Sequence, residues 1–507
     1  MPDPSLGDMR VDEFEAAAQR VAEWMAAYLR DIEQHPVLAR TPPGWLREQL
    51  PTHAPDTAED LDAVLADLDR LIVPATTHWN SPGFFAYFAS SSSAAGVLGE
   101  MLSAAFNVNA MLWRTSPAAT ELEQVVVDWL RRLLGLPEPL FGVINDTASS
   151  STLYALAAAR ESLTDLRIRD AGMSGRNDLP QLRVYASAEA HSSVDKACLV
   201  LGLGTRGVRR IAVDDAYRID PGALRRALEE DVAAGVRPMA VVATVGTTST
   251  TSVDSVRDVA DVCGEHGVWL HVDAAYGGAA AIVPELAWVL GGAERGDSIV
   301  VNPHKWLFTP IDCSVLWTRR PDVLRAAFSL VPEYLRSDAR APEDAPDLMD
   351  YGMSLGRRFR ALKLWLVLRR FGREGIVQLI RRHCEMARRL AALVEASARW
   401  ELMAPAPLSV VCLRAHPSGV TDESQLDALS ERVMRRVNEA GRFFLSHTRV
   451  RDRYVIRVAF GHVRATESQP DALWEELEAA QAAELSALSA SGAPTPPASR
   501  PASPSSI

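Results

Sequence analysis

Apolar residues recur at helical spacing through the first ninety residues of the chain. One stripe, in the stretch VDEFEAAAQRVAEWMAAYLRDIEQ, consists of Phe14, Ala18, Val21, Met25 and Leu29, and this spacing predicts an amphipathic helix. A second amphipathic stretch covers residues 57–71, and a proline-rich connection separates the two. Two such helices cannot bury their stripes alone, so we expect them to pack against the body of the protein or against a second subunit.

Between about residues 140 and 320 the pattern changes to short apolar runs that alternate with amphipathic stretches. The runs are RVYAS, VRRIAV, MAVVATVG, VWLHVDAAY and DSIVVN, each bounded by Gly, Pro or Asp. One intervening helix is well delimited, because Asp220 can cap it, Pro221 suits its first turn, and Gly235 with Pro238 ends it. Strands that alternate with helices predict a mostly parallel sheet covered by helices. Ligands of such sheets bind beyond the carboxyl ends of the strands.

The last third of the chain reads as a helical region followed by a smaller unit. Helical spacing runs from about 353 to 396, and residues 397–480 mix strand patterns such as LSVVCLRA and YVIRVAF with helices. The closing stretch SGAPTPPASRPASPSSI has a composition typical of disorder. We therefore expect a helical N-terminal segment (1–90), a large α/β domain (91–396), a small α+β domain (397–485) and a disordered tail (486–507).

Composition narrows the classes of function. The net charge of -12 argues against nucleic acid or an anionic membrane as the main partner. The basic stretch GRRFRALKLWLVLRRFGR has its apolar residues at helical spacing, which favours a packed helix. The sequence contains no run of about eighteen apolar residues, so no membrane span is predicted. Five scattered cysteines without a CxxC favour a reducing compartment, exclude a zinc ribbon and leave no metal site expected, so we expect a cytoplasmic protein.

Two charged residues directly follow predicted strands. Lys305 comes after DSIVVN, where Asn302-Pro303 is expected to prevent continuation into a helix. A lysine there is costly to desolvate unless a carboxylate pairs with it or its amine forms a Schiff base with a cofactor aldehyde. Asp273 ends VWLHVDAAY and needs a cationic partner, such as the pyridinium of pyridoxal 5′-phosphate (PLP). Taken singly, Lys305 also fits a buried ion pair and Asp273 a helix cap.

Two further features lie at strand ends. VINDTASSSTLYALAAAR enters a helix through Thr147, Ala148 and Ser149, and hydroxyls with free N–H groups at a helix N-terminus can bind an anion. A well-capped helix alone would look the same. His191 follows RVYAS, where an imidazole could stack on a flat ring, although a lone histidine is more often structural. Together, a phosphate cradle, a stacking histidine, an aspartate and a lysine in this order predict a PLP enzyme.

These residues belong to motifs that resemble a known family. HVDAAY followed by NPHKW resembles the group II PLP-dependent amino-acid decarboxylases, and among them the aromatic L-amino-acid decarboxylases. Further matches, in order, are THWNSPGFFAYF (77–88), TSPAATELEQVVVDWL (115–130), AHSSVDKA (190–197), VATVGTTS (242–249) and LGRRFRALKLW (355–365). The resemblance covers about residues 10–480. It implies PLP-dependent transferase fold type I, with a mostly parallel central sheet and helices on both faces. It also implies an obligate homodimer with active sites at the subunit interface.

The resemblance also implies roles for individual residues. Lys305 resembles the Schiff-base lysine, Asp273 the pyridinium partner and His191 the stacking residue. Further implied cofactor contacts are Thr147, Ala148, Ser149, Asn302, Thr244, Ala275 and His304. Implied substrate contacts are Trp79, Tyr87, Phe88, Ser90, Met111 and Gly356. Two positions depart from the family pattern: Asp146 stands where Gly or Asn is frequent, and Met111 stands where animal relatives have an aromatic residue.

The implied reaction is PLP-dependent decarboxylation of an aromatic L-amino acid to an arylalkylamine and carbon dioxide. The aromatic-rich stretch 77–88 favours a planar side chain. Gly356 matches a position where relatives that handle indoles tend to have Gly, so tryptophan is favoured, with tyrosine, phenylalanine and dopa as alternatives. The polar stretch 329–352 is expected to form a mobile lid in which Tyr334 matches the family's proton donor. Rival functions are an aldehyde synthase, which Phe at 334 would mark, an aminotransferase and a non-catalytic partner protein.

Overall fold

The fold is given by a computed structural model that describes residues 8–330 and 346–491. The strands are β1 (Phe141–Asn145), β2 (Leu182–Ser187), β3 (Val208–Ile211), β4 (Arg237–Thr244), β5 (Trp269–Asp273), β6 (Ser298–Val301), β7 (Ser314–Thr318), β8 (Trp400–Leu402), β9 (Val410–Ala415), β10 (Ser446–Val450) and β11 (Arg453–Ala459). The α-helices are α1 (Val11–Asp31), α2 (Trp45–Gln49), α3 (Leu61–Asp67), α4 (Ala94–Phe106), α5 (Pro117–Leu133), α6 (Ala148–Glu161), α7 (Ile168–Ala171), α8 (Ser193–Val200), α9 (Pro221–Ala233), α10 (Val256–His266), α11 (Pro303–Trp306), α12 (Pro321–Phe328), α13 (Arg360–Glu395), α14 (Glu423–Ala440) and α15 (Gln469–Ser491).

The large sheet contains seven strands in the order β1-β7-β6-β5-β4-β2-β3. Strands β2 to β6 pair in parallel, whereas β7 runs antiparallel to both β1 and β6. The prediction of a mostly parallel sheet is confirmed, and all five predicted strands are present. The sequence does not predict the antiparallel β7, because a short, fully buried run such as SVLWT carries no signal of strand direction.

Helices cover both faces of this sheet. Along β4, Val241 and Ala243 belong to one hydrophobic cluster with residues of α5, α9, α10 and α13. Their neighbours Ala240 and Val242 belong to a second cluster with residues of α6, α8 and α12. Because successive strand residues point to opposite faces, burial on both faces requires continuous apolar runs rather than alternation. This arrangement explains the runs that the sequence shows and confirms the predicted fold class.

The charged residues predicted to act in the site lie at the carboxyl ends of the parallel strands. Asp273 is the last residue of β5, and α11, which contains Lys305, follows one residue after β6. The expectation that Asn302-Pro303 prevents a helix is wrong. Pro303 is instead the first residue of the short helix α11, because proline fits the first helical position, where its missing N–H needs no partner.

The small C-terminal unit contains an antiparallel sheet of order β10-β11-β9-β8. Residues of α13, α14 and α15 share a hydrophobic cluster with this sheet, as expected for a small α+β domain. The last helix runs to Ser491, so the prediction that disorder begins at residue 486 is wrong for residues 486–491. The remainder of that tail lies outside the described residues.

The N-terminal helix α1 is only partly covered by the described residues, with most of its apolar stripe half-buried. Its only buried residue is Ala17, and Phe14, at the start of the predicted stripe, is 60% exposed. The second predicted stretch contains α3 and a following π-helical turn. No helix in the described ranges combines the length and apolar content needed to cross a membrane.

Helices α4 and α13 approach closely at Gly99. A Cβ atom at this position would lie 2.5 Å from the Cα of Lys363. Lys363 is itself buried and paired with Glu100. Since α4 follows the aromatic-rich stretch 77–88, this contact fixes how that stretch meets the large domain.

We predict that Gly99→Ala lowers the thermal midpoint, although alanine alone would favour the helix by about 1 kcal/mol. Overpacking of this contact should cost about 1–3 kcal/mol. The control is Gly264→Ala in α10, where the new Cβ would meet only an Arg295 nitrogen at 3.7 Å, so the midpoint should be unchanged or higher. A Gly99→Ala variant as stable as the parent protein would show that the helices can separate without cost.

Candidate active site

One cavity lies at the carboxyl ends of the parallel strands. It is lined by Phe88, Thr147, Ala148, Ser149, His191, Thr244, Gly246, Thr248, Asp273, Ala275, Tyr276, Asn302, His304 and Lys305. All ten residues predicted to contact a cofactor are among them. They come from five separate stretches of sequence, which follow or end β1, β2, β4, β5 and β6.

Lys305 presents its amine to this cavity. The Nζ atom lies 5.3 Å from the centroid of the Phe88 ring, and the amine makes no ion pair with any carboxylate of the described residues. Burial lowers the pKa of the Lys305 amine, the carboxylate of Asp273 acts against this shift, and the guanidinium of Arg457 adds to it. No ion pair among the described residues supports the first interpretation of Lys305, which leaves the Schiff base with a cofactor aldehyde.

Asp273 is buried, with 6% of its surface exposed. Its Oδ1 accepts a hydrogen bond from the N–H of Ala275 at 3.2 Å. This bond spans two residues within the turn after β5 and caps no α-helix. The carboxylate therefore stays available to a cationic partner in the cavity, and the small side chain of Ala275 leaves room for a flat ring beside it.

The N-terminus of α6 forms another wall of the cavity. Thr147 caps this helix through its Oγ1, which accepts the N–H of Ser150 at 3.4 Å. The N–H groups of Ala148 and Ser149 lie in the first turn, where a helix supplies no partner of its own. Asp146 accepts the N–H of Thr147 at 2.6 Å, so this departure from the family pattern serves the local turn.

Two buried oxygen atoms of the cavity have no hydrogen-bond partner among the described residues. They are Oγ1 of Thr244 and Oδ1 of Asn302. Thr244 is firmly held, since its N–H donates to Asp254 at 2.7 Å and its carbonyl accepts the N–H of Asp254 at 3.0 Å. Burial raises the pKa of Asp254 to about 7. Unpaired buried polar atoms are costly, and a polar ligand in the cavity would satisfy them.

His191 stands at the open side of the cavity. Its Nδ1 accepts the N–H of Ser193 at 3.1 Å, so in the neutral ring Nε2 carries the proton. Loss of hydration lowers the pKa of His191, the charge of Asp273 acts in the opposite direction, and Lys305 lowers the pKa further. A neutral imidazole at this place can lie against an aromatic ligand without adding charge.

Sequence reasoning misses Tyr276, which lines the cavity, and Arg457, which contacts the lining residue Phe88. The ring of Tyr276 stacks on Phe88 with centroids 3.6 Å apart. Arg457 lies 4.7 Å from the same Phe88 centroid and is 4% exposed. Its Nε donates to the carbonyl of Thr248 at 2.9 Å, and one terminal nitrogen donates to that of Ala86 at 3.0 Å. An arginine inside the apolar run YVIRVAF is the signal that could have identified it.

The predicted substrate residues fall into separate places. Phe88 lines the cavity, whereas Trp79 and Tyr87 form an exposed stacked pair with centroids 5.6 Å apart. Ser90 is half-buried and does not line the cavity.

Two other predicted substrate residues lie together elsewhere. The N–H of Arg357, which follows Gly356, donates to Oδ1 of Asn109 at 2.9 Å, and the N–H of Ala110 donates to the carbonyl of Arg357 at 2.9 Å. Gly356 therefore lies close in space to the segment that contains Met111. Gly356, but not Met111, lines a smaller cavity that shares no residue with the one around Lys305. Tyr334 lies outside the described residues.

The residues of the main cavity fit PLP. An amine of lowered pKa suits the aldehyde, a buried carboxylate suits the pyridine nitrogen, and a helix N-terminus suits the phosphate. The unpaired oxygens of Thr244 and Asn302 add polar positions around it.

Comparisons with known proteins agree with this geometry. The conserved domain of the pyridoxal-dependent decarboxylases matches residues 43–416. Tryptophan decarboxylase 2 of Oryza sativa subsp. japonica is 39% identical over 480 residues, which cover 93% of this chain and 95% of the relative. Phenylacetaldehyde synthase of Arabidopsis thaliana is 38% identical over 481 residues, which cover 93% and 96%. The solved structure of Oryza sativa TDC with PLP and tryptamine has a TM-score of 0.90 and 36% identity, over 94% of this chain and 99% of the other.

We predict that Lys305→Ala loses the visible absorbance of bound PLP and lowers turnover by several orders of magnitude, because no amine remains to hold the aldehyde. The chain has only two other lysines, Lys196 and Lys363, and Lys363 is committed to Glu100. Lys196→Ala is therefore the matched control and should keep both properties. Turnover near the parent rate in Lys305→Ala would exclude the assigned role.

Proposed function

Because this chain belongs to the pyridoxal-dependent decarboxylase family, we propose that its substrate is an aromatic L-amino acid, with tryptophan favoured. The family makes it a carboxy-lyase of fold type I that uses PLP. The products are then an arylalkylamine and carbon dioxide. The single observation that carries this proposal is the cavity at the strand ends, where Lys305, Asp273 and an aromatic wall meet.

The cofactor, when bound, supplies an electron sink for the electrons left behind as the carboxyl group departs. Lys305 would hold its aldehyde, Asp273 its ring nitrogen, and Thr147 to Ser149 with Asn302 its phosphate. His191 would cover the ring. Burial keeps the Lys305 amine in its neutral, reactive form for a larger fraction of time than in water.

Aromatic side chains support the choice of substrate. Phe88 and Tyr276 form a stacked pair inside the cavity, and Trp79 stacks on Tyr87 nearby in sequence. A wall of this kind favours a planar apolar side chain over an acidic or basic one. The names of two relatives, a tryptophan decarboxylase and a phenylacetaldehyde synthase, point to the same class of substrate.

A homodimer with active sites at the subunit interface is part of the proposal. Helix α4 exposes a row of large apolar side chains, namely Leu98, Met101, Leu102 and Phe106, and α1 buries only Ala17. Contiguous apolar surface of this kind is typical of an interface. Met111 and Gly356 lie away from the Lys305 cavity of their own chain, so they would contact a substrate across such an interface. Sedimentation should show a particle of two chains.

A cytoplasmic location is the second extension of the proposal. All five cysteines are free and buried, and burial raises the pKa of each thiol to about 12. Such thiols are unreactive and need no oxidising compartment.

The substrate is tested by amine formation from tryptophan, tyrosine, phenylalanine and dopa, with Gly356→Ser as the variant. We predict that tryptophan gives the highest kcat/KM and that the substitution lowers the tryptophan-to-tyrosine ratio, since filling a packed site costs about 1–3 kcal/mol. Within its own chain the new side chain would meet only Asn109 at 3.9 Å, so folding should be unaffected. A ratio that stays constant would remove Gly356 from the substrate site.

An aldehyde synthase on the same scaffold is the alternative function, and Tyr334 is the proposed difference. We propose that its phenol returns a proton to the substrate carbon after carbon dioxide leaves. Tyr334→Phe should still release carbon dioxide, while amine falls at least about tenfold and aldehyde, ammonia and peroxide appear with oxygen uptake. Without oxygen the aldehyde should disappear and the amine should not recover. Normal amine formation by this variant would mean that Tyr334 is not the proton donor.

A further inference from the structure

Trp306, the residue after Lys305, is completely buried and makes a directed hydrogen bond. Its indole N–H donates to Nδ1 of His383 on α13 at 3.0 Å. Because Nδ1 accepts this bond, the proton of the neutral His383 ring is on Nε2, which donates to the carbonyl of His462 at 3.0 Å. His462 follows β11 in the small domain, so two hydrogen bonds connect the lysine-bearing helix with that domain.

The connection continues into the N-terminal segment. Nδ1 of His462 accepts the N–H of Arg464 at 3.1 Å, which leaves its Nε2–H to donate to Oδ1 of Asn80 at 3.3 Å. The same Asn80 oxygen accepts the N–H of Ser92 at 3.1 Å. Asn80 directly follows Trp79, one of the predicted substrate residues. One chain of hydrogen bonds therefore joins the large domain, the small domain and the aromatic-rich segment.

Lys305 needs anchors of this kind, because α11 is only four residues long. A helix of one turn has few hydrogen bonds of its own. On one side of Lys305, Nδ1 of His304 accepts the N–H of Cys313 at 2.9 Å. On the other side, Trp306 is stacked on Tyr276 with centroids 4.6 Å apart and is held by His383. The lysine thus lies between two anchored aromatic residues.

His383 and His462, the two histidines in this series of hydrogen bonds, are both neutral. Burial lowers the pKa of His383 to about 4 and that of His462 to about 3. A neutral imidazole has one donor and one acceptor, and in each ring both are used. Neither ring can change tautomer without losing two hydrogen bonds, so each ring has a single favoured tautomer and the hydrogen bonds a single direction.

We propose that His383 is a positioning residue that, through Trp306 and His462, makes the placement of the Lys305 amine depend on the docked small domain. The proposal rests on PLP being held at Lys305 and is independent of which amino acid is the substrate. His383 lines no part of the cavity, so it acts only through its neighbours.

Two substitutions at His383 separate its two bonds. Asparagine places an oxygen near the Nδ1 position, so His383→Asn keeps an acceptor for Trp306 and loses the bond to His462. Glutamine reaches the Nε2 position, so His383→Gln keeps the bond to His462 and leaves Trp306 without an acceptor. Trp306→Phe removes the donor and keeps an aromatic ring. Trp269→Phe is the control, because it removes the same kind of buried indole bond, to Ser298 at 3.0 Å, from the opposite end of β5.

The measurements are the dissociation constant of PLP, the pH midpoint of the visible absorbance of the PLP-bound protein, and the thermal midpoint of the apoprotein. We expect Trp306→Phe and His383→Gln to weaken PLP binding about tenfold, the change that matches one lost buried hydrogen bond, and to shift the pH midpoint. His383→Asn, which loses the bond to the small domain, should weaken binding by a smaller factor, and parent-like binding in it would contradict the dependence on that domain. Trp269→Phe should leave both PLP readouts unchanged.

Parent-like PLP binding and pH midpoint in Trp306→Phe and His383→Gln would overturn the proposal. So would equal losses in Trp269→Phe, because they would indicate general destabilisation. If Trp306→Phe does not fold, the comparison of His383→Gln with His383→Asn decides alone. Failure of the parent protein to bind PLP would instead contradict the assigned cofactor, which the same titration distinguishes.

Discussion

The amine of Lys305 is largely shielded from water, and no carboxylate of the described residues forms an ion pair with it; this is the constraint on which the site depends. Burial lowers the pKa of Lys305, and Asp273 acts on it only from a distance. A separated buried pair of this kind is unfavourable in itself. A ligand that takes the amine into a covalent bond and offers a cation to the carboxylate relieves both costs. PLP has both features at opposite parts of one flat ring, so the cavity is complementary to it in charge as well as in shape.

The architecture explains how this arrangement is maintained. Parallel strands β5 and β6 end at the same edge of the sheet, which places Asp273 and Lys305 beside one cavity. The small domain contributes Arg457, whose guanidinium donates to carbonyls of Ala86 and Thr248. It also supplies Ser409, whose hydroxyl contacts that of Tyr276. The N-terminal segment and the large domain therefore line the cavity, and the small domain holds their residues from behind.

The amino-acid sequence predicts the parts of the site that follow from strand ends. Asp273, Lys305, His191 and the first turn of α6 each come directly after an apolar run, and the parallel topology brings them together. Tyr276 and His383 are different, because their relevance comes from contacts between residues far apart in sequence, and no local pattern encodes these contacts. Arg457 is marked locally as an arginine inside an apolar run, but its contact with Phe88 is equally distant in sequence.

Two features of the fold differ from the sequence-based expectations for identifiable reasons. The direction of β7 is set by its pairing with β1 and β6 rather than by its own residues. The helix at Pro303 forms because proline ends a strand and begins a helix equally well. Met111 and Gly356 lie away from the Lys305 cavity of their own chain, and only under the proposed dimer would they contact a substrate in the partner's cavity.

The most direct test of the central claim is to identify the lysine that binds the cofactor. PLP-loaded protein would be reduced with borohydride, which makes the PLP–lysine linkage permanent, and the labelled peptides would then be mapped by mass spectrometry. The chain has three lysines, so the assignment is unambiguous. We expect one pyridoxyl group per chain, on Lys305. A label on Lys196 or Lys363, or no label at all, would contradict the assignment of the cavity at the strand ends as the active site.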